Sequence, residues 1–477
     1  MNRVASIVAI LLLVAVSLSP VFAEGTLLLP GPTPASASEL ASASVSTSEP
    51  ATTAQSKEWT LAVFLNGDNN LDPFAAEDMD EMAKIGSSDW LNMVVLIDRE
   101  NGPASYNLIE KGKITKLKDA GELDMGNFKT MTGFAKWVVA NYPAKHYILD
   151  IWNHGSGWKA ADKKVFRGIS YDDQSGNHIT TAQLGTALQE IKATFGHNID
   201  ILNFDACLMQ MAEVAFVCKD NVDYIVGSEE TEPGKGTPYD DVFRNLTPGV
   251  TAETFAKAWV KAFVASYQGG SQGKEDCTQS AIKGSAMGKV YDSMNGFAKA
   301  IMAGKFETQF SAALQKVQKF AMPENVDLIH LVTLVKASVS ETGVQKACKK
   351  LLAAVKAALV SNAATGYSMK NAKGLAIYFP ADYKLESGYS ALASNKVTMW
   401  DKLIQDLKAK KTAATIIRAV EAGDLGILRK FVSEASSKTP GLVKFVMQEL
   451  NFRLHSEGGL PASLVAEAGA LVAELSN

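Results

Sequence analysis

The sequence has little net charge and few cysteines. It carries 47 Lys and Arg residues against 51 Asp and Glu residues, a net charge of −4 at pH 7, so no overall field attracts nucleic acid or acidic membranes. Four cysteines in 477 residues are too few for a disulfide-rich scaffold. Hydrophobic residues make up 47% of the chain and charged residues 21%, the balance of an ordinary globular protein with a sizeable core. At ~100–200 residues per domain, the length allows about two to four domains.

Motifs for metal and phosphate binding are also absent from the sequence. It contains no C-x-x-C, no H-E-x-x-H and no glycine-rich phosphate loop. The segment that starts at Asp68 begins like a calcium-binding loop, but Pro73 stands where that loop needs Gly, and Met79 stands where it needs a bidentate Glu. We therefore predict that the protein requires no metal or cofactor.

Long apolar runs are confined to the first residues of the chain. Arg3 is followed by an almost unbroken apolar run over residues 4–18 and a cleavage signal at 21–23, a pattern typical of a secretory signal peptide over residues 1–23. The run is short for a membrane span, and an uncleaved N-terminal anchor is the alternative. Residues 24–57 are mostly Pro, Ala, Ser and Thr, which predicts a disordered spacer or pro-segment. We expect an exported protein, secreted or held in the periplasm or cell envelope, with no stable membrane span after signal removal.

After residue 57 the apolar pattern alternates between the periods of strand and helix. The predicted strands are residues 59–66, 91–98, 146–152, 199–204 and 223–228, and the predicted helices between them include 71–85 and 128–141. This alternation predicts an α/β fold, with a mostly parallel sheet and helices on both of its faces. A late strand at 374–379 is expected to add to the same sheet, and residues 408–477 are predicted to form a helical C-terminal extension of unknown role.

The carboxyl ends of the predicted strands carry one histidine and one cysteine. In an open α/β sheet, ligands bind beyond the carboxyl ends of the strands, and His154 and Cys207 follow two of these strands. A thiol beside an imidazole is the minimum for a thiolate nucleophile. Taken singly, a buried structural cysteine and a surface histidine are the ordinary interpretations, but their placement at one sheet edge favours a catalytic pair. Cys207 lies 53 residues after His154, close to the gap of ~50 residues known for caspases.

The segments around these two residues carry a family resemblance. HYILDIWNHGSGW at 146–158 and NFDACLMQMAEVA at 203–215 resemble the His and Cys motifs of clostripain-like cysteine peptidases, of the caspase, gingipain and legumain superfamily. Further similar segments lie, in order, at 68–71, 225–239, 326–330 and 374–380. The resemblance covers about residues 58–407. It implies a caspase-like peptidase domain over that range and an endopeptidase that cleaves proteins or peptides after Arg or Lys.

The resemblance also implies roles for individual residues of the predicted site. Cys207 would be the nucleophile, and His154 the acid/base that protonates the leaving amine. The backbone amides of Gly155 and Cys207 would form the oxyanion hole, since such donors must point to where negative charge develops. The lack of a side chain at Gly155 also leaves room for the substrate.

A carboxylate near the nucleophile is predicted to select the substrate. Asp205 lies two residues before Cys207, on the same side of an extended strand, and matches the acidic residue that faces a basic P1 side chain in relatives. Such a pocket, S1, binds Arg or Lys through charge-assisted hydrogen bonds. The alternative is that Asp205 caps the following helix. Glu230 is a candidate for a second S1 carboxylate, as are Glu229 and Glu232, and an exposed acidic turn is the alternative.

Relatives in this group are often zymogens that cut themselves. The loop at 159–168, between the His and Cys motifs, carries four basic residues, and Lys163, Lys164 and Arg167 are candidate processing sites. A plain solvated loop is the alternative. We expect a monomer, either a single chain or a nicked two-chain form. Some relatives use calcium, so calcium binding stays open, without assigned ligands.

Two other functions compete with an Arg- or Lys-specific peptidase. One is a catalytically silent relative that serves as a surface binding module, and the intact His154 and Cys207 count against it. The other is a peptidase with Asn or Asp at P1. Asp205 counts against that specificity, because an acidic pocket would repel Asp and gain nothing from Asn.

Overall fold

The structure, a computed structural model, describes residues 56–158, 168–434, 440–454 and 462–474. The predicted signal peptide and spacer lie outside these ranges, apart from Ser56 and from Lys57, which already belongs to the first strand. None of the described helices combines the length and the apolar composition that crossing a membrane requires.

The described residues form fifteen strands and fourteen α-helices. The strands are β1 (Lys57–Gly67), β2 (Leu91–Arg99), β3 (Ala104–Glu110), β4 (Lys113–Gly121), β5 (Ala144–Trp152), β6 (Ile169–Asp172), β7 (Asn177–Ile179), β8 (Ile199–Asp205), β9 (Val222–Gly227), β10 (Gln268–Gly270), β11 (Gly273–Lys274), β12 (Cys277–Lys283), β13 (Asn325–Asp327), β14 (Leu359–Thr365) and β15 (Ala376–Tyr378). The helices are α1 (Asp72–Ile85), α2 (Phe128–Asn141), α3 (Thr181–Phe195), α4 (Ala212–Cys218), α5 (Tyr239–Phe243), α6 (Ala252–Ser266), α7 (Met287–Met302), α8 (Glu307–Lys316), α9 (Leu328–Ser338), α10 (Thr342–Ala358), α11 (Trp400–Glu421), α12 (Gly426–Ser433), α13 (Pro440–Leu454) and α14 (Ala462–Glu474).

The centre of the fold is a nine-stranded sheet with the strand order β14-β12-β9-β8-β5-β1-β2-β3-β4. The strands from β9 to β2 pair in parallel, and antiparallel strands extend the sheet at both edges. In β1 every residue from Trp59 to Gly67 is buried, which is typical of a parallel strand covered on both faces. The predicted α/β fold with a mostly parallel sheet is confirmed.

Helices cover both faces of this sheet. The larger of two buried cores contains apolar side chains of α2, α3, α4, α7, α9 and α10, and the other contains those of α1, α5 and α6. Local sequence sets the ends of these helices. In α3, Thr180 and Gln183 form a reciprocal capping box, and Gly196 ends the helix at φ 81°. The box satisfies amides at the start of α3, and the glycine allows the left-handed turn that leads the chain back to β8.

The late apolar strand does not join the main sheet, so that expectation is wrong. β15 pairs antiparallel with β13, with Val326 opposite Ile377, and the two form a separate two-stranded sheet. The edge beside β12 is occupied by β14 instead. The apolar run at 374–379 indicated a buried strand, but a short apolar run carries no signal for the strand with which it pairs.

The C-terminal region is helical, as predicted, and a continuous helix joins it to the preceding part of the chain. α11 runs through residue 407 without a break. Its first half buries Trp400 and Leu407 in the larger core. From Ala413 onward, apolar residues of α11 pack with α12, α13 and α14 into a third, smaller cluster. The helices that follow α11 therefore have a core of their own, anchored through α11.

Candidate active site

Two parallel strands bring the predicted catalytic residues to one edge of the sheet. In the register of β5 with β8, Trp152 lies opposite Asp205, and the Asn153 N–H donates to the Asp205 carbonyl oxygen at 3.1 Å. His154 follows Trp152 by two residues, and Cys207 follows Asp205 by two. Since neighbouring strands are about 4.8 Å apart, the histidine and the cysteine occupy matching positions beyond adjacent strand ends.

Gly155 packs against the backbone of Cys207. A Cβ atom at Gly155 would lie 2.5 Å from the Cys207 carbonyl oxygen, so a larger residue fits only if the backbone moves. Within the described residues, neither the Gly155 N–H nor the Cys207 N–H donates a hydrogen bond to another residue. Two unused amide donors beside a nucleophile are what an oxyanion hole requires, and this arrangement supports the predicted role of both amides.

A residue that the sequence analysis left without a role contacts the histidine. The Oδ1 atom of Asn70 lies 2.7 Å from Nε2 of His154. With the Asn70 amide in this orientation, its oxygen accepts from Nε2, and Nδ1 is the nitrogen that is left to act as a base. Burial lowers the pKa of His154, and the negative charge of Asp173 opposes that shift. The imidazole is therefore neutral at neutral pH. The signal for Asn70 was its place directly after β1, the strand beside β5.

Cys207 differs from the other cysteines in its access to solvent. All four are free thiols, and the three that are fully buried are Cys218, Cys277 and Cys348. Cys207 is half-buried, and its burial raises the pKa of the thiol, an effect that the charges of Glu230 and Asp205 increase. Leu208 directly after it has φ 63°, a strained conformation for a branched residue. The thiol therefore holds its proton at rest, and a base must remove it.

The side chain of Asp205 turns into the protein beneath Cys207. It accepts hydrogen bonds from the Thr237 N–H, at 3.1 Å and 3.2 Å from its two oxygens, and from the Tyr239 hydroxyl at 3.0 Å. The alternative that Asp205 caps the next helix is wrong. α4 begins only at Ala212, with Met211 as its N-cap, because the chain first makes the strained turn that follows Cys207.

Asp205 belongs to a cluster of four carboxyl groups, which we call the acidic well: Asp78, Asp150, Asp205 and Glu232. Burial raises the pKa of each of them, and repulsion from Asp205 raises the pKa of Asp78, Asp150 and Glu232 further. The hydrogen bond with Glu232 acts in the opposite direction on the pKa of Asp205. Among the described residues, no Lys or Arg forms an ion pair with any of the four, and Oε2 of Glu232 is buried without a hydrogen-bond donor. A buried carboxyl group that keeps its charge is costly unless a cation pairs with it, so any charge that remains in the well favours a cation from outside.

The structure places Glu232, not Glu230, against Asp205. Oε1 of Glu230 accepts from the Thr231 N–H at 2.8 Å and from the Ala321 N–H at 3.0 Å, so that oxygen serves to hold the loop. Glu229 packs instead against Asp327. The sequence contains three candidate glutamates for the second S1 carboxylate, and their spacing alone did not distinguish them.

The candidate processing residues Lys163, Lys164 and Arg167 lie outside the described residues. The residues that flank this segment are held to each other. The Ser156 N–H donates to the Gly168 carbonyl oxygen at 2.9 Å, and the Gly168 N–H donates to Oγ of Ser156 at 2.7 Å. In the part of the chain that the structure describes, no three His, Cys, Asp or Glu side chains have a geometry that could hold a metal ion, and calcium binding stays a prediction.

A thiol and an imidazole beyond adjacent parallel strands, beside two amides without an acceptor among the described residues, are the arrangement expected of a caspase-like cysteine peptidase. A family model described as the clostripain family matches residues 63–407. This chain therefore belongs to the clostripain family, as its motifs predicted.

Similar proteins agree with this family. Clostripain of Hathewaya histolytica is 27% identical over 225 residues, which cover 40% of this chain and 42% of that relative, so the match spans about two fifths of the relative's length. A secreted C11 cysteine protease from Bacteroides thetaiotaomicron, solved with an irreversible peptide inhibitor, is 19% identical, with a TM-score of 0.56 over 74% of this chain and 99% of that one. An inactive zymogen C11 protease from Parabacteroides distasonis is 22% identical, with a TM-score of 0.56 over 72% and 99%. At these identities the two solved structures show the shared fold.

Proposed function

We propose that this protein is a secreted cysteine endopeptidase that cleaves peptide bonds after Arg or Lys. The observation that supports the proposal is the register of β5 with β8, in which Trp152 lies opposite Asp205 of the acidic well. His154 and Cys207 each follow this pair by two residues. A protein with only a structural cysteine and a surface histidine would need neither the unused amides of Gly155 and Cys207 nor a buried carboxylate cluster without a cation.

The neutral dyad supplies both the acid and the base of the reaction. His154 takes the proton of the Cys207 thiol as the sulfur attacks the carbonyl carbon of the scissile bond. The carbonyl oxygen becomes negative, and the amides of Gly155 and Cys207 stabilise it. As the C–N bond breaks, His154 gives its proton to the leaving amine, and a thioester remains on Cys207. Water then attacks the thioester, His154 takes a proton from it and returns this proton to the departing sulfur.

The acidic well gives the specificity at P1. A guanidinium or ammonium group that enters beside Cys207 meets Asp205 and Glu232, which lack a cation of their own. Charge-assisted hydrogen bonds to two carboxyl groups favour a basic side chain over a neutral one. An acidic P1 residue would add a further negative charge to the well, which counts against a caspase-like preference for Asp.

Export and self-cleavage complete the proposal. The pattern of residues 1–23 supports export through a signal peptide. Cleavage after Lys163, Lys164 or Arg167 would divide the chain between His154 and Cys207, and the pairing of β5 with β8 would hold the two parts together. A similar C11 protease is described as an inactive zymogen, which supports activation by such a cut.

The test compares residues 24–477 of the wild type with the Cys207→Ala variant. Peptides with Arg, Lys, Asn or Asp at P1 are incubated with each protein, with and without calcium, and the products are identified by mass spectrometry. We expect cleavage after Arg or Lys by the wild type and a loss of at least ~10⁴-fold in the variant, since the nucleophile is removed. Cys348→Ala, which removes a buried thiol in α10, is the matched control and should retain activity.

The outcomes separate the parts of the proposal. Cleavage only after Asn or Asp would keep the dyad and refute the role of the acidic well. Absence of turnover on every peptide, even after a trypsin nick, would favour a binding module. For self-cleavage, the triple variant Lys163→Gln, Lys164→Gln, Arg167→Gln should stay one band on a denaturing gel while the wild type gives two.

A further inference from the structure

Tyr239 lies between two carboxyl groups of the acidic well. Its hydroxyl oxygen is 2.8 Å from Oδ2 of Asp150 and 3.0 Å from Oδ2 of Asp205. The tyrosine is fully buried, and its ring is held in the core between the sheet and α6. The hydroxyl therefore has no partner in solvent, and both of its contacts are carboxylate oxygens.

The number of protons at this contact limits which of the two carboxyl groups can be ionised. A hydroxyl has one proton and donates to one acceptor at a time. If both carboxyl groups were ionised, the second oxygen would face the lone pairs of the hydroxyl without a proton between them. One of the two carboxyl groups must therefore be protonated and donate to the Tyr239 oxygen, while Tyr239 donates to the other.

Depth in the sheet decides which carboxyl group holds the proton. Asp150 lies opposite Asn203 in the register of β5 with β8, two residues deeper than Asp205, and it is 0% exposed. Asp205 is 4% exposed and accepts from the Thr237 N–H as well. Burial raises the pKa of both, and for Asp150 it does so well above the ordinary value. The neutral partner is therefore Asp150, and the charged one is Asp205.

We propose that Tyr239 is a positioning residue that fixes the negative charge of the S1 pocket on Asp205, by accepting a hydrogen bond from protonated Asp150 and donating its own to Asp205. This inference rests on the proposed specificity for a basic P1 residue. The negative charge then lies on Asp205, which a P1 side chain can reach, and not on Asp150, which lies deeper in the sheet. Asp150 contributes as a hydrogen-bond donor and not as a second anion.

The experiment measures binding without turnover, in the Cys207→Ala background. A hexapeptide with Arg at P1 is compared by calorimetry with its twin carrying citrulline, a neutral side chain of the same shape, and the ratio of the two Kd values is the readout. Tyr239→Phe should lower this arginine-to-citrulline ratio about tenfold, the size of one hydrogen bond to a charged group. Asp205→Asn should abolish it.

Asp150→Asn separates this role from a purely structural one. An amide at Asp150 donates to Tyr239 as a protonated carboxyl group does and still accepts from Asn203, whose present contact is 2.9 Å. The ratio should therefore stay within about threefold of the background value. The Kd of the arginine peptide should also stay within about threefold of the background value, whereas a structural defect would weaken the binding of both peptides.

Each outcome supports or overturns the inference. A background protein that binds both peptides equally would refute basic P1 specificity and the inference together. A clear preference for Arg that Tyr239→Phe leaves unchanged would overturn the inference alone. If Tyr239→Phe does not fold, as judged by circular dichroism, Asp150→Asn decides: a retained ratio supports a neutral Asp150, and a ratio as low as that of Asp205→Asn overturns it.

Discussion

The loop after β9 supplies carboxyl groups to two different acid pairs. Glu229 packs against Asp327, and Glu232 packs against Asp205. The first pair is closed, with Glu229 1% exposed and Asp327 0%. Three backbone amides donate to it, those of His330, Lys373 and Gly374, at 2.6, 2.5 and 2.8 Å. In the second pair Glu232 is half-buried and one of its oxygens has no donor among the described residues.

The difference shows how the surroundings decide the use of a buried acid pair. Backbone amides bind three of the four oxygens of Glu229 and Asp327 and leave Oε1 of Glu229 without a partner among the described residues. These bonds tie the loop after β9 to the start of α9 and to the approach to β15. Asp205 and Glu232 lie beside Cys207, and their donors are mostly side chains. Asp205 accepts from the Thr237 N–H and the Tyr239 hydroxyl, and Glu232 accepts from the Gln279 side chain at 3.3 Å. The fold leaves their charge to be balanced by something that enters. Glu229 thus helps to hold the fold together, whereas in our proposal Glu232, three residues later, helps to bind the P1 side chain of the substrate.

The sharpest way to break this comparison is to neutralise the aspartate of each pair. Asp205→Asn should lower kcat/KM for an arginyl peptide about 100-fold, or ~3 kcal/mol for an uncompensated charge partner, without loss of thermal stability. Asp327→Asn should keep the specificity and lower the unfolding free energy by ~2 kcal/mol, because an amide cannot accept from both His330 and Lys373. Kinetics on arginyl and citrullyl peptides, together with thermal unfolding, measure both. Equal kinetic losses in the two variants would contradict the distinction.

A second variant sharpens the comparison by changing the dyad without changing charge. Asn70→Ala removes the acceptor at Nε2 of His154 and should lower kcat about tenfold, the cost of a less well oriented base, with little change in KM or in the preference for Arg. Steady-state kinetics separate these parameters. The matched variant Asn70→Asp keeps an oxygen acceptor and should recover most of kcat. A change in KM alone would show that Asn70 binds substrate rather than orienting His154.

The smallest effect concerns Asp173, a charge outside both pairs that acts on His154. Asp173 raises the pKa of His154 against the larger lowering by burial. Since neutral imidazole is the base, activity is lost as the pH falls through the pKa of His154, which lies below that of a free imidazole. Asp173→Asn should move this acidic limb of the kcat/KM profile to lower pH. The shift should shrink at 1 M salt, which screens an exposed charge. A limb displaced to higher pH would contradict the assignment.

The central strands, and the placement of His154 and Cys207 beyond two of them, could be predicted because their signals are local. Buried parallel strands read as apolar runs, and the rule that ligands bind at carboxyl ends of strands singled out His154 and Cys207. The antiparallel edges were missed for a physical reason. β4 is mostly exposed, with the sequence KITKLKDAG, so no apolar face marks it, and β12 contains Thr, Gln and Ser although it is buried.

The contacts that form the acidic well could not be predicted from the sequence. Tyr239 contacts Asp150 across 89 residues of chain, and an aspartate in the middle of an apolar strand has no local feature that assigns it a partner. Asp205 was singled out because it lies two residues before Cys207. Glu232 was one of three equivalent glutamates until the path of the loop was known. Long-range contacts of this kind depend on the strand order, which local patterns do not contain.

The register of β5 with β8 has a consequence for how such a protein can change over generations. His154 and Cys207 each lie two residues beyond the paired positions Trp152 and Asp205. One residue inserted or deleted within either two-residue overhang would shift one group by about 3.3 Å and turn it to the opposite side of the sheet. The chain between His154 and β8 is not bound by this fixed number of residues. Length variation among descendants is therefore expected to accumulate between residues 158 and 168 and to be excluded from the overhangs.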